Sequence, residues 1–224
     1  AQQLNRIFFH YMQMRRPFVI AKWAMSLDGE MTTQMNDDRQ LTGQGAQQSV
    51  HQLREQVDAI LIGAETARKD NPQLTVRYSD SKTPRHPKRI ILSQHGDLPT
   101  HLTLFDANLP GETLLVTTNT NPDLHLHYAK HGISFMVAPA DANGLIDLPG
   151  LMVLLGQQGI TSLLVEGGRK TLHAFLAAQL IDHIDVYIAP YLIGNLPQKL
   201  RVDEIDFKPC GTDFHFSATL TRKK

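Results

Sequence analysis

A chain of 224 residues with 42% hydrophobic and 20% charged side chains has ordinary globular composition and is long enough to bury a substantial core. Its 22 Lys and Arg balance its 22 Asp and Glu, so no whole-molecule positive field would hold a polyanion. Nucleic acid is a poor candidate partner, and a small charged ligand held by local groups is the better one.

The single cysteine, Cys210, excludes an intrachain disulfide and a cysteine zinc cluster, and it fits a reducing cytoplasm. The N-terminal stretch RIFFHYMQMRRPFVIAKWAM is apolar in patches. Arg15, Arg16 and Lys22 interrupt it, so it reads neither as a membrane span nor as a signal peptide. The first residue is Ala1, which leaves processing and an upstream domain open. No linker is visible, so one α/β domain over residues 1–224 is expected.

PFVIAKWAM (17–25) is a buried-strand candidate followed by the turn-like SLDG. AQQSVHQLREQV (46–57) carries Ala46, Val50, Leu53 and Val57 at helical spacing. DAILIG (58–63) reads as a strand, and TARKDNP as a short helix stopped before Pro72. KRIILS (88–93), ETLLVTT (112–118) and ISFMVA (133–138) are further strands. NPDLHLHYAKHG is a helix candidate with Pro122 near its start and Gly132 past its end. DLPGLMVLLGQQG (147–159) is a helix despite Gly150 and Gly156, and TSLLVE (161–166) is a strand. GRKTLHAFLAAQL places Leu172, Phe175, Leu176 and Leu180 on one helix face. HIDVYIAP alternates with period two, and DFHFSATLTR (213–222) resembles a closing edge strand. Strands alternating with helices predict a mainly parallel sheet covered on both faces, with ligands beyond the carboxyl ends of its strands.

The stretch LLVEGGRKTL (163–172) joins a strand end, a tight turn and a helix start. Gly167 and Gly168 permit close backbone approach and positive φ. The helix-start amides can bind phosphate, with Arg169, Lys170 and Thr171 adding donors. A plain Gly-Gly turn beside a solvated Glu166 is the equal alternative. LTGQGAQQ (41–48) lacks the third glycine of a dinucleotide fingerprint and reads as a loop, with Thr42 a capping candidate. In AETARKDNPQLTVR, Thr66, Asp70, Asn71 and Arg77 cluster near Pro72, as functional side chains or as a solvated loop. His125, His127 and His131 read as surface histidines rather than a metal site. Pro209-Cys210 opens half of a zinc-deaminase signature, but the second cysteine and H-x-E are absent, which excludes that chemistry and leaves a packed or loop thiol. Trp23, within a strand candidate, reads as core.

Together, AKWAMSLDGE, VHQLREQVDAILIGAETARKDNPQLTVR, KRIILS, LLVEGG and LIDHIDVYIAP followed by LIG resemble the reductase domain of riboflavin biosynthesis, over roughly residues 17 to 195. The resemblance implies a dihydrofolate-reductase-like α/β fold, a homodimer, and NADPH-dependent reduction of a phosphoribosylamino-pyrimidine. The zinc deaminase fused ahead of it in many members is missing here, which suggests a stand-alone reductase. By the same resemblance Ala24, Thr66 and Asp70 line the cofactor site. Gly167, Gly168, Arg169, Lys170, Thr171 and Leu172 wrap its phosphates, and Ser93 meets its adenosine half. Arg54, Leu74, Arg77 and Glu166 hold the substrate. Catalysis falls to Glu166, which orients the pyrimidine, with Lys22 and Asp28 the nearest proton donors.

Many members carry Ser-x-Trp where this chain has Asp38-Arg39-Gln40. Asp38 takes the substrate-contacting serine's position, Arg39 can offset its charge, and Gln40 takes the place of the tryptophan beside the cofactor. Glu65 replaces the second glycine of the usual Gly-x-Gly-Thr. These departures keep two rivals open: a same-fold reductase of a pterin or dihydrofolate, and a non-catalytic nucleotide-binding homologue.

Overall fold

A strand buried on both faces needs a near-continuous apolar run, and AILIG and LLV are such runs. The computed structural model describes residues 5–31, 41–194, 200–211 and 213–220. In chain order its elements begin with helix α1 (Arg6–Met14), strand β1 (Phe18–Ser26), helix α2 (Gln44–Gln56), strand β2 (Ala59–Gly63) and helix α3 (Ala64–Asp70). Strand β3 (Lys88–Leu92), a 3-10 turn (Thr103–Phe105), strand β4 (Thr113–Thr117), helix α4 (Pro122–Lys130) and strand β5 (Ser134–Val137) follow. Helix α5 (Leu148–Gln157), strand β6 (Ser162–Val165) and helix α6 (Arg169–Ala177) come next. Strands β7 (His183–Ala189), β8 (Tyr191–Leu192), β9 (Leu200–Cys210) and β10 (Asp213–Leu220) close the chain.

A seven-stranded sheet has the order β5-β4-β3-β2-β6-β1-β7, and every pairing from β5 through β1 is parallel. Alternation along β2 shows how both faces are filled. Ile60 and Ile62 enter one core with Leu53 of α2, Ala67 of α3 and Tyr128 of α4. Ala59 and Leu61 enter the other with Leu151 and Leu155 of α5 and Phe175 of α6. Helices on both faces are what an all-parallel sheet requires.

The chain divides into two compact units, Ala1–Lys22 with Gln48–Asp185, and Trp23–Gln47 with Val186–Lys224. The first holds both large cores. In the second, Leu41, Ala189 and Ile193 form a small cluster with Ala24 and Tyr191, and β10-β9-β8 form a three-stranded antiparallel sheet.

Several expectations need correction. Leu176 is 46% exposed while Leu172, Phe175 and Leu180 are buried, so the apolar face of α6 is narrower than its spacing suggests. The helix stops because Gln179 turns left-handed (φ 54°), and the Leu180 amide then reaches the Phe175 carbonyl at 3.1 Å. Trp23 is half-buried rather than core, and Cys210 is exposed at a strand end. Residues 221 and 222 of DFHFSATLTR lie outside the described residues, and Asp213–Leu220 does form an edge strand, but of the smaller sheet. Its partner β9 was not legible, because a bulge breaks its alternation: Glu204 has φ 53°, and the register slips between Ser217 and Thr219. Helix α1 was also not legible. It buries no residue fully, and it is held by contacts distant in sequence. Tyr11 Oη donates to the Gly156 carbonyl at 2.8 Å, and beyond the helix Arg16 forms a two-pronged pair with Asp182 at 2.7 and 2.9 Å.

Candidate functional site

Strand β6 lies between β2 and β1, and its last register pairs are Leu61↔Val165 and Ala21↔Val165. The next residue, Glu166, stays in the ladder, its N–H donating to the Leu61 carbonyl at 3.0 Å. Parallel neighbours in register point to the same face, so Lys22, following Ala21, lies beside Glu166. Lys22 Nζ is 3.6 Å from Glu166 Oε2. On α2, Leu53 packs into the core and the adjacent Arg54 reaches over the strand end. Arg54 Nε and Nη2 donate to the two Glu166 oxygens, each at 2.8 Å, and Nη1 donates to the Thr75 carbonyl at 3.2 Å.

This group is secluded, with side-chain exposures of 7% for Glu166, 11% for Arg54 and 16% for Lys22. Burial pushes the Glu166 carboxyl up, but Lys22 and Arg54 outweigh it and hold the group at about 2. Burial likewise disfavours charge on Arg54, and Glu166 more than restores it. The solvated Glu166 of the plain-turn alternative is therefore not what forms. Glu166 is an ionised, buried carboxylate with a fixed orientation.

The segment after α3 passes alongside. Asn71 caps α3 in the left-handed region and its Oδ1 accepts from the Thr103 amide at 2.8 Å. Leu74, also left-handed (φ 53°), turns the chain so that Leu74, Thr75 and Val76 are buried and Arg77 is exposed. Arg77 Nη1 donates to Gln73 Oε1 at 3.2 Å, and its amide donates to His51 Nδ1 at 3.0 Å. His51 was missed at sequence level. Its signal is a place one helical turn before Arg54 on α2, the i,i+3 relation that puts two side chains on one face.

The Gly-Gly turn has a different cause from the one expected. Gly168 has φ −63° and Gly167 is not left-handed either, so positive φ is not what selects glycine. The requirement is space. A Cβ on Gly167 would lie 2.5 Å from Thr171 Cβ, and one on Gly63, at the end of β2, would lie 2.5 Å from Thr171 Oγ1. Thr171 thus packs against the backbone at two strand ends. Thr66 Oγ1 accepts from the Gly168 amide at 3.0 Å, which ties α3 to the start of α6. The first amide bonded within α6 is that of Leu172, to the Gly168 carbonyl at 3.1 Å, so the Lys170 and Thr171 amides have no partner inside the helix. The Lys170 side chain pairs with Glu65 at 2.8 Å, both largely exposed. Asp70 is exposed, and Leu172 is buried.

The remaining predicted residues have partners of their own. Ser93 is buried after β3 and its hydroxyl donates to Asp97 Oδ1 at 3.1 Å. Ala24 packs in the small cluster. Asp28 accepts the Ser26 hydroxyl and the Ile193 amide, the latter at 2.9 Å. Slight burial raises its carboxyl, and these donors more than reverse this and favour the ionised form. That arrangement suits a turn clamp better than a proton donor. Asp38, Arg39 and Gln40 lie outside the described residues. His127 and His131 are exposed, His125 lies against Phe135 at 4.1 Å between ring centroids, and no group of three metal-binding side chains occurs among the described residues.

Known proteins resemble the chain that carries this buried carboxylate, its two cations and the Gly-Gly helix start. The family model described as the RibD C-terminal domain matches residues 17–222. A riboflavin biosynthesis protein RibD of Actinobacillus pleuropneumoniae is 33% identical over 89% of this chain and 52% of its own length. The chain spans about half the length of such relatives. A 2,5-diamino-6-ribosylamino-4(3H)-pyrimidinone 5′-phosphate reductase of Aquifex aeolicus is 32% identical over 82% of both chains. The solved structure of Acinetobacter baumannii RibD, form 1, superposes with a TM-score of 0.72 at 28% identity, over 99% of this chain and 63% of that one. This agrees with the expected dihydrofolate-reductase-like α/β architecture. With the match covering every strand of the seven-stranded sheet and the whole Glu166 site, the chain belongs to the RibD C-terminal domain family.

Proposed function

We propose that this chain is an NADPH-dependent reductase of a phosphorylated ribosylamino-pyrimidine, taking 5-amino-6-(5-phosphoribosylamino)uracil to its ribitylamino product in riboflavin biosynthesis. The observation that carries the proposal is Glu166, held ionised and buried at the end of β6 by Arg54 and Lys22. Oε2 faces both Arg54 and Lys22, while Oε1 accepts one bond from Arg54 and has capacity for a second, which a pyrimidine N–H can fill. Glu166 orients the ring, and Arg77 with Leu74 borders the phosphorylated end. Lys22 gives the proton at the reacting nitrogen, and the exposed Asp28 carboxylate is engaged by the Ile193 amide.

The donor set at the start of α6 fits a dinucleotide. The Lys170 and Thr171 amides lack partners inside the helix, Arg169 begins it, and the small residues Gly63 and Gly167 crowd the backbone against Thr171. When bound, NADPH supplies a hydride for the imine carbon of the open-chain substrate. The protein's part is to fix the ring, hold the charges and exclude water around them. A homodimer working in the cytoplasm completes the proposal, on the strength of family membership.

A second reading differs in the ring. Two relatives, at 32% and 29% identity, are named as reductases of the 2,5-diamino-pyrimidinone 5′-phosphate, the ring before deamination. The test is loss of nicotinamide absorbance with NADPH and either pyrimidine. Turnover of the uracil supports the first reading and turnover of the diamino compound the second. Turnover of neither, with NADPH still bound, discards both. In an active enzyme Glu166→Gln should lower kcat/KM by about 30-fold or more and leave NADPH affinity near wild type. Equal loss of both would remove Glu166 from substrate recognition.

A further inference from the structure

Residues 71–77 carry no helix or strand, yet they run beside the buried Glu166 group. What holds them in register must come from outside the segment. Two side chains of α2, one turn apart, do so. Arg54 donates to the Thr75 carbonyl at 3.2 Å, and His51 accepts the Arg77 amide on Nδ1 at 3.0 Å. The His51 ring is 3% exposed and meets the Tyr78 ring edge-on, with centroids 5.0 Å apart and planes at 85°. Residues 75, 77 and 78 are thus all fixed to the same helix that delivers Arg54 to Glu166.

We propose that His51 is a positioning residue, setting the Leu74–Arg77 segment against Arg54 so that the phosphorylated end of the substrate meets a fixed Arg77. This rests on the reading of Leu74 and Arg77 as substrate contacts. To accept the Arg77 amide, the imidazole must be neutral with its proton on Nε2. The surroundings enforce this. Burial, then the positive charges of Arg54 and Arg77, pull His51 down to about 4, against an opposing pull from Glu166 and a backbone bond with Thr75. A histidine kept neutral and tied to backbone acts through the groups it holds.

The test uses His51→Phe, which keeps a ring and loses the acceptor, and His51→Asn, whose Oδ1 falls near the place of Nδ1. Exchange of the Arg77 amide, read by nuclear magnetic resonance, should quicken about tenfold or more in the phenylalanine variant and stay near wild type in the asparagine variant. KM for the pyrimidine should rise about tenfold in the first with kcat within about threefold, and recover in the second. Affinity for NADPH should be unchanged in both. Wild-type protection of the Arg77 amide in His51→Phe, or equal loss in both variants, would overturn the proposal. So would a fall in NADPH affinity in step with the rise in KM. Should the wild-type protein turn over neither pyrimidine, the reductase reading fails separately. Arg77 exchange and the affinity for ribose 5-phosphate, measured by titration, then decide the role of His51.

Discussion

Glu166→Gln removes one buried negative charge and keeps the side chain's shape. Its carboxyl sits at about 2 in the folded protein against an ordinary 4.5. At about 1.4 kcal/mol per unit, that difference is worth about 3 kcal/mol of folding stability. The substitution also leaves Arg54 and Lys22, 11% and 16% exposed, facing an amide, which belongs to the class of costly half-removed buried pairs. Because the folded pKa is depressed, the contribution is complete above the ordinary value, declines as pH falls toward about 2, and is lost below it. Urea unfolding of wild type and Glu166→Gln, from neutral pH down to about pH 3, reads this directly. The expected gap is about 3 kcal/mol near neutrality, narrowing steadily in acid. Arg54→Met should cost less in the glutamine background than in wild type, since the pair is already broken. A neutral-pH gap below about 1 kcal/mol, or one constant with pH, would refute the claim that Glu166 is held ionised by its neighbours.

Gly63→Ala and Gly167→Ala should each destabilise by about 1–3 kcal/mol in thermal unfolding. Thr171→Ala should relieve the first, whose clash is with Oγ1, and not the second, whose clash is with Cβ. Gln179→Gly should stabilise by about 0.5–1 kcal/mol, because Gln179 occupies the left-handed position that ends α6. Asp182→Ala should cost about 2 kcal/mol and loosen α1, measured as faster amide exchange in that helix, since it removes the two-pronged Arg16 pair and the acceptor of the Val19 amide.

The strands and helices of the main sheet were legible because their signals are local. AILIG and LLV are unbroken apolar runs, and Pro122 and Gly132 bracket α4 by their own backbone chemistry. LLVEGGRKTL was legible as a strand end, turn and helix start for the same reason. The purpose of its glycines was not, because Thr171, Gly63 and Gly167 meet only after two strands lie side by side. Helix α1 and strand β9 escaped for related reasons. One depends on distant anchors and the other has its alternation broken by a bulge.

Periodicity, turn residues and composition are properties of neighbours along the chain, and they were enough for element type, element order and a mainly parallel sheet. The state of Glu166 is a property of neighbours in space. Arg54 is 112 residues away in the chain, and Lys22 stands beside Glu166 only because β1 and β6 pair with Ala21 opposite Val165. Parallel strands must be joined by long crossovers, so the residues that share a strand end are necessarily remote in sequence. For that reason the charge of Glu166, the neutrality of His51 and the hold on Arg77 exist only in the folded chain.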